Sequence, residues 1–331
     1  MAYTPAANLT SSATLAHLQA IHYRKKALDR LQTKFVFREA GMKDSMPQGS
    51  GRTTQWFRMD NLTGTPSVKA EGTVGTGQSL TSRTVQATLS QYANFVNISD
   101  FLIATDIAPT VNYASELLGY QAGLITDLIT RNIIDAEAHN TAQTALATYL
   151  RVSDLRVSRH SLQAINVLPF DNGEFLCFTH PYASYDLVND PAALGLADIF
   201  KYNTAVGSTP LVKYEDRGLI THVAGCKVVE TTNGKTYTSS GTNYYRSYVF
   251  GKNGLGICDL EGKGPSEVSD PSKQRFNINV IRMGPNPADP EGVIGAAVSY
   301  NFATTSVILE GPAGIGGSYR FKTLDTPSTI G

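Results

Sequence analysis

RTTQWFRMDNL at residues 52–62 and SLTSRTVQATLSQYANFVNIS at residues 79–99 flank a turn-rich loop, GTPSVKAEGTVGTGQ, at residues 64–78. Together they read as a long β-hairpin, placed before any obvious core has been built. At about 3.3 Å per residue each arm reaches roughly 30 Å. Thr84, Gln86, Thr88 and Ser90 fall on one face of the returning arm, and Val85, Ala87 and Leu89 on the other. A two-stranded hairpin is marginal in water by itself, and these arms are too polar to make a core of their own. Such a projection needs a partner surface, and another molecule is the natural supplier.

The rest of the chain is long enough for one large domain or two ordinary ones, at 331 residues. An apolar fraction of 41% allows a real core. Lys plus Arg equals Asp plus Glu at 28 each. That balance argues against a general electrostatic grip on nucleic acid or acidic membranes, and it removes one barrier to self-association. Cys177, Cys226 and Cys258 all lie in apolar runs, which suggests free thiols in a reducing compartment. No apolar run approaches 18 residues, so no membrane span is expected. The start, MAYTPAANLTSSATLAHLQ, lacks the pattern of a secretory signal.

Along the chain, residues 12–38 read as a helix. Leu15, Leu18, Ile21 (or His22), Tyr23, Leu28 and Leu31 give it an approximate apolar stripe. Arg24, Lys25, Lys26, Arg30, Lys34 and Arg38 surround a single acid, Asp29. That basic face is either a solvated surface or an arm lying against an acidic partner. A second, very long helix is expected over 112–149, just after Pro109, with Leu118, Ala122, Ile125, Ile129, Ile133 and Ala136 at helical spacing. At 1.5 Å per residue it would span about 55 Å. A short helix over 158–167, the strand GEFLCFTH, the helix PYASYDLVND and the mixed pattern from LADIFKYN to 262 follow. Strands FNINVIRM, VIGAAVSYNF and SVILEG close the chain, and the final fifteen residues read as frayed. The class is α+β, with mostly antiparallel strands.

Catalytic and ligand-binding chemistry finds little support. GTVGTG at 72–77 has its glycines at the wrong offsets for a dinucleotide loop, and no helix follows it. GPAGIGG at 311–317 has no helix to aim at a phosphate. The six histidines form no HExxH, and Cys177 with His180 supplies two ligands where a metal needs more. Cys177 lacks the basic setting of a nucleophile and reads as core. Asp127, Asp135 and Glu137 are expected on the wet side of the long helix. No cofactor and no metal is expected, and no enzyme.

The ordered series YRKKALDRL, GRTTQWFRMDNL, LTSRTVQATLSQYANFV, LGYQAGLITDLITRN, FLCFTHPYASYDLVND and YVFGKNGLGI, up to the strands after SDPSKQRFNI, resembles the major capsid proteins of tailed phages, and most closely their N-four-type family. The resemblance covers about residues 15–310, and RMGPNPADPEG near 282–292 departs from it by its prolines. It implies the tailed-phage and herpesvirus capsid fold. An N-terminal arm would cover 1–45, and an extended loop (the E-loop hairpin) 46–98. A P-domain with a spine helix would cover 99–169 and 263–315, an A-domain of mixed α/β character 170–262, and a C-terminal tail 316–331. Trp56, Phe57, Arg58, Val68, Lys69 and Tyr92 would lie across a neighbouring subunit. Lys69 could also join a neighbour's asparagine as an isopeptide, against the plainer reading of a solvated lysine. Arg24, Lys25, Lys26 and Arg30 would stabilise a neighbour or face the genome.

The resulting expectation is a shell protein of the virion. It would assemble in the host cytoplasm as hexamers and pentamers around double-stranded DNA held without sequence preference. A portal, scaffold or cementing protein would be a further partner. The alternative is another phage structural or adhesive component, a tail or fibre protein.

Overall fold

A computed structural model of the chain describes residues 35–47, 49–62, 64, 68, 70–75, 77–106, 109–137, 144–145, 149–189, 219–260, 277–282, 289, 291–310 and 319–328. The expected N-terminal helix lies outside these residues except for its last few, which form a 3-10 turn at Phe37–Ala40. Four strands follow: β1 (Gly41–Met46), β2 (Thr53–Met59), β3 (Ser82–Thr88) and β4 (Ser90–Ser99). β2 and β3 make the expected antiparallel hairpin, in register from Thr53↔Thr88 to Met59↔Ser82. The returning run is not one strand, however. It breaks at Leu89, whose N–H donates to the Arg52 carbonyl at 2.9 Å, and β4 then leaves to join another sheet. Leu89 is the cause: its side chain is buried with Met46 and Cys258 at the hairpin base. The paired part of each arm is therefore about 23 Å, shorter than the sequence suggests.

Next come α1 (Asp100–Thr105), capped by the Ser99 hydroxyl, and α2 (Thr110–Glu137). At 28 residues α2 spans about 42 Å. It stops well short of residue 149, and Thr144–Ala145 already forms a strand, β5. α3 (Val152–Ala164) begins six residues earlier than expected. Its start is set by Asp154, whose carboxylate accepts the Arg151 N–H at 3.0 Å. After β6 (Phe175–Thr179) comes α4 (Pro181–Val188), with proline at its first turn and the His180 ring nitrogen accepting the Tyr182 N–H. The remaining strands are β7 (Leu219–Val223), β8 (Cys226–Glu230), β9 (Thr236–Ser239), β10 (Thr242–Phe250), β11 (Leu255–Leu260), β12 (Asn277–Arg282), β13 (Ile294–Ile308) and β14 (Phe321–Pro327). LADIFKYN lies outside the described residues.

Two sheets organise these strands. In the five-stranded sheet the order is β1-β11-β13-β12, with β4 also paired to β13. In the seven-stranded sheet the order is β5-β14-β10-β6-β8-β7, with β9 on β10. Most pairings are antiparallel; β1–β11, β6–β8 and β5–β14 are parallel. The C-terminal stretch expected to fray is in fact an internal strand of the larger sheet. β14 lies between β5 and β10, and Phe321 and Leu324 are buried. Its alternation FKTLDTP is too short and polar to announce a central strand. The expected boundaries also cut across the sheets. β11, from the 170–262 segment, pairs with β1 and β13, while β14, from the supposed tail, pairs with β10. One core packs α3 and α4 on the larger sheet. Another joins Ala114, Leu118 and Ala122 of α2 to Ile98, Val298 and Tyr300 of the smaller. A third, around Phe37, Ile134, Phe178 and Tyr248, lies where the two meet.

Candidate assembly surface

The hairpin has an anchored base and a bare tip. At the base, Trp56 packs on the cluster of Met46, Leu89 and Cys258. A Cβ on Gly256 would come within 3.1 Å of the Trp56 ring, so the indole depends on glycine beneath it. The Arg58 guanidinium pairs with the Glu310 carboxylate, which also accepts from Arg320 at 2.7 Å. Val85 and Ala87 are buried, as the alternation along the strand requires. Beyond Met59 and Ser82 the described residues of the projection keep one ladder contact, Asp60 N–H to Thr81 carbonyl at 2.9 Å, with Arg83 paired to Asp60. Past that point its apolar side chains are out in solvent. Leu62, Val68, Val74 and Leu80 are all exposed, as are Phe57 and Met59 just below. Exposed apolar groups concentrated on a projection mark a surface that another molecule covers.

The residues expected at a subunit interface therefore divide. Phe57 and Val68 are exposed. Trp56 and Arg58 are engaged within the chain, and Tyr92 stacks on Phe302 with ring centroids 5.6 Å apart. Lys69, Arg24, Lys25, Lys26 and Arg30 lie outside the described residues.

A second exposed apolar surface is not signalled by any motif. Phe95, Val96, Phe101, Leu102, Ile103 and Leu117 are exposed where β4, α1 and the start of α2 come together. Between them runs a groove of about 640 Å³, lined by residues such as Val96, Leu102, Tyr113, Leu117, Leu118 and Leu124. The Asn94 amide donates to Gln121 across one side at 2.8 Å. These residues sit in strand and helix patterns that read as ordinary half-buried elements. Only the assembled packing shows which of them are left uncovered.

Under these surfaces the scaffold is locked by buried charge. The carboxylates expected on the wet side of α2 are buried instead: Asp127 is 0% and Asp135 6% exposed. Asp127 accepts the Phe37 backbone N–H and the Asn233 amide, both at 2.8 Å. Burial pushes its carboxyl above the usual range, and the Asn233 hydrogen bond works against that rise. Asp135 accepts from Arg246 at 3.2 Å and from the Tyr248 hydroxyl at 2.8 Å. Arg246 also grips Asp325 of β14 with two bonds of 2.6 and 2.7 Å. Tyr237 donates to the same carboxylate at 2.9 Å; burial, then this bond, pushes its hydroxyl up to about 12. These contacts tie α2 to β10 and β14.

The three thiols are buried and unpaired in disulfides. Burial raises all three, Cys226 to about 12, the opposite of what a nucleophile needs. Cys177 and His180 are not brought together as ligands: Cys177 faces the core, and His180 caps α4. Among the described residues no group of three or more His, Cys, Asp or Glu is placed to hold a metal, and no helix is long and apolar enough to cross a membrane.

No family model matches the sequence, and no curated protein matches it significantly. Solved structures do match the fold. The capsid of Ralstonia phage GP4 superposes with a TM-score of 0.69 at 11% identity, over 94% of this chain and 95% of that one. The capsid of Cyanophage Pam1 gives 0.65 at 14% identity, over 97% and 99%. The head of Helicobacter pylori bacteriophage KHP40 gives 0.65 at 10% identity, over 98% and 99%. The identities are low, but the coverage is nearly complete in both directions. The chain has the fold of these phage capsid proteins.

Proposed function

We propose that this chain is the major capsid protein of a tailed phage, and that many copies close a shell around double-stranded DNA. The observation that carries the reading is the hairpin tip, where Leu62, Val68, Val74 and Leu80 are exposed together on a projection with no core of its own. The phage capsid chains that share this fold from end to end support it. In this reading the β2–β3 hairpin is the E-loop and α2 the spine helix. The five-stranded sheet with α2 makes the P-domain, and the seven-stranded sheet with α3 and α4 the A-domain. Copies meet in rings of six and five. The tip, with Phe57 and Val68, lies across the neighbouring copy, while Trp56 and Arg58 act from within to set the angle of the projection. DNA is enclosed without sequence readout and is no part of the subunit contact. The role is structural, in the virion shell.

Electron microscopy and sedimentation of the purified full-length chain test this. Rings or closed particles are expected. A strict monomer at high protein concentration would overturn the proposal.

A further inference from the structure

The groove between β4, α1 and α2 has one feature that names its occupant: the polypeptide before residue 35 starts at its end. Phe35 rests on α2, with its ring 5.4 Å from that of Tyr120 and so close over Gly123 that a Cβ there would meet it at 2.7 Å. Tyr120 also lines the groove. The segment leading into Phe35 carries Leu15, Leu18, Ile21, Leu28 and Leu31 at helical spacing, an apolar stripe that needs a surface of this kind. Charge agrees. Residues 1–34 hold Arg24, Lys25, Lys26, Arg30 and Lys34 against Asp29 alone, a formal +4. Residues 90–130, which supply every groove-lining element, contain Asp100, Asp106 and Glu116, besides the buried Asp127, and no Lys or Arg. The paired strand β13 carries no charge at all.

We infer that the groove is a docking site for the chain's own N-terminal segment. The leucine stripe covers Val96, Leu102 and Leu117, and the basic residues lie along the acidic rim. The segment begins beside the groove, because Phe35 rests on Tyr120, which lines it. This assignment uses the basic face within the chain and not on DNA, and it holds whether or not particles form.

The experiment places a photoreactive phenylalanine at Leu117, which lines the groove and is 52% exposed. The full-length chain is prepared as an equal mixture of unlabelled and nitrogen-15-labelled protein. After irradiation, the captured peptide is read by mass spectrometry. Capture of residues 12–34 within one isotope label supports the inference. Capture of 12–34 across labels seats a second copy in the groove and overturns it. Capture of any other segment, or of DNA, or of nothing, also overturns it. A parallel measurement uses trypsin, for which Arg24, Lys25 and Lys26 are sites. Leu117→Asp and Leu18→Asp should each speed cleavage there by about ten-fold or more, since each puts a carboxylate into the apolar contact. Unchanged cleavage in both variants, with melting temperatures also unchanged, overturns the inference as well.

Discussion

Asp127 shows how much one side chain can join. It stands in the body of α2, yet both carboxylate oxygens are committed, one to the incoming chain at Phe37 and one to Asn233 beyond β8. Because burial raises its folded-state pKa above the ordinary carboxyl value of 3.8, the folded chain holds this proton more tightly than the unfolded one. The contribution to stability is complete below about pH 3.8 and is lost as pH rises through the higher folded value. Asp127→Asn should flatten that part of the pH profile, so that wild type and variant converge or cross between acid and neutral pH in thermal melts. A parallel offset at all pH values would show that the carboxyl does not titrate in this window. Asp127→Ala leaves the Phe37 N–H without its acceptor and should cost about 1–3 kcal/mol. At Asp325 the stake is larger. Asp325→Asn removes the charge that Arg246 grips and should cost about 3–5 kcal/mol in urea unfolding; a loss below about 1 kcal/mol would mean that Asp135 alone compensates. None of this was legible in the sequence. The helical stripe on α2 puts Asp127 and Asp135 plausibly in water, and the partners that bury them lie 90 to 113 residues away.

At the scale of elements, the hairpin is readable because a period of two is a local signal. The alternation Val85, Ala87, Leu89 marked the buried face correctly. The break at Leu89 was not readable, because it depends on Met46 and Cys258 waiting beneath it. The end of α2 was missed for a related reason: apolar spacing continues past Glu137, while Thr144–Ala145 pairs as β5 with β14, a partner far off in the sequence. The exposed groove was invisible, since pattern gives the face of an element but not what stays uncovered. The anchored base and bare tip make a clean separation possible. Replacing residues 61–80 by Asn-Gly keeps the register from Thr53↔Thr88 to Met59↔Ser82 and supplies a turn suited to a two-residue connection. The variant should melt within about 2 °C of wild type, because the tip adds no core, and should form no closed shells by electron microscopy. Normal shells would remove the tip from the assembly contact; a large fall in melting temperature would show that the tip supports its own subunit.

For the whole molecule, the proposed assembly turns on which force would bring copies together. The chain is formally neutral, with 28 basic and 28 acidic groups, so long-range attraction between copies is weak. Large apolar side chains, among them Leu62, Val68, Val74 and Leu80, stand exposed on the hairpin tip. Apolar contact at about 25 cal/mol per Å² is insensitive to screening, and excluded salts such as sulfate strengthen it. Light scattering of the full-length chain should therefore show assembly persisting at about 1 M sodium chloride, where the Debye length is only about 3 Å, and beginning at lower protein concentration in ammonium sulfate. Any DNA carried along by the particles should behave oppositely and fall away steeply with sodium chloride. Assembly that dissolves in sodium chloride along with the DNA would place the driving force in ion pairs and leave the exposed leucines and valines of the tip without a role. The neutral charge balance favours the first outcome: the shell should be built by surfaces that leave water, while the buried bridges hold each subunit in shape.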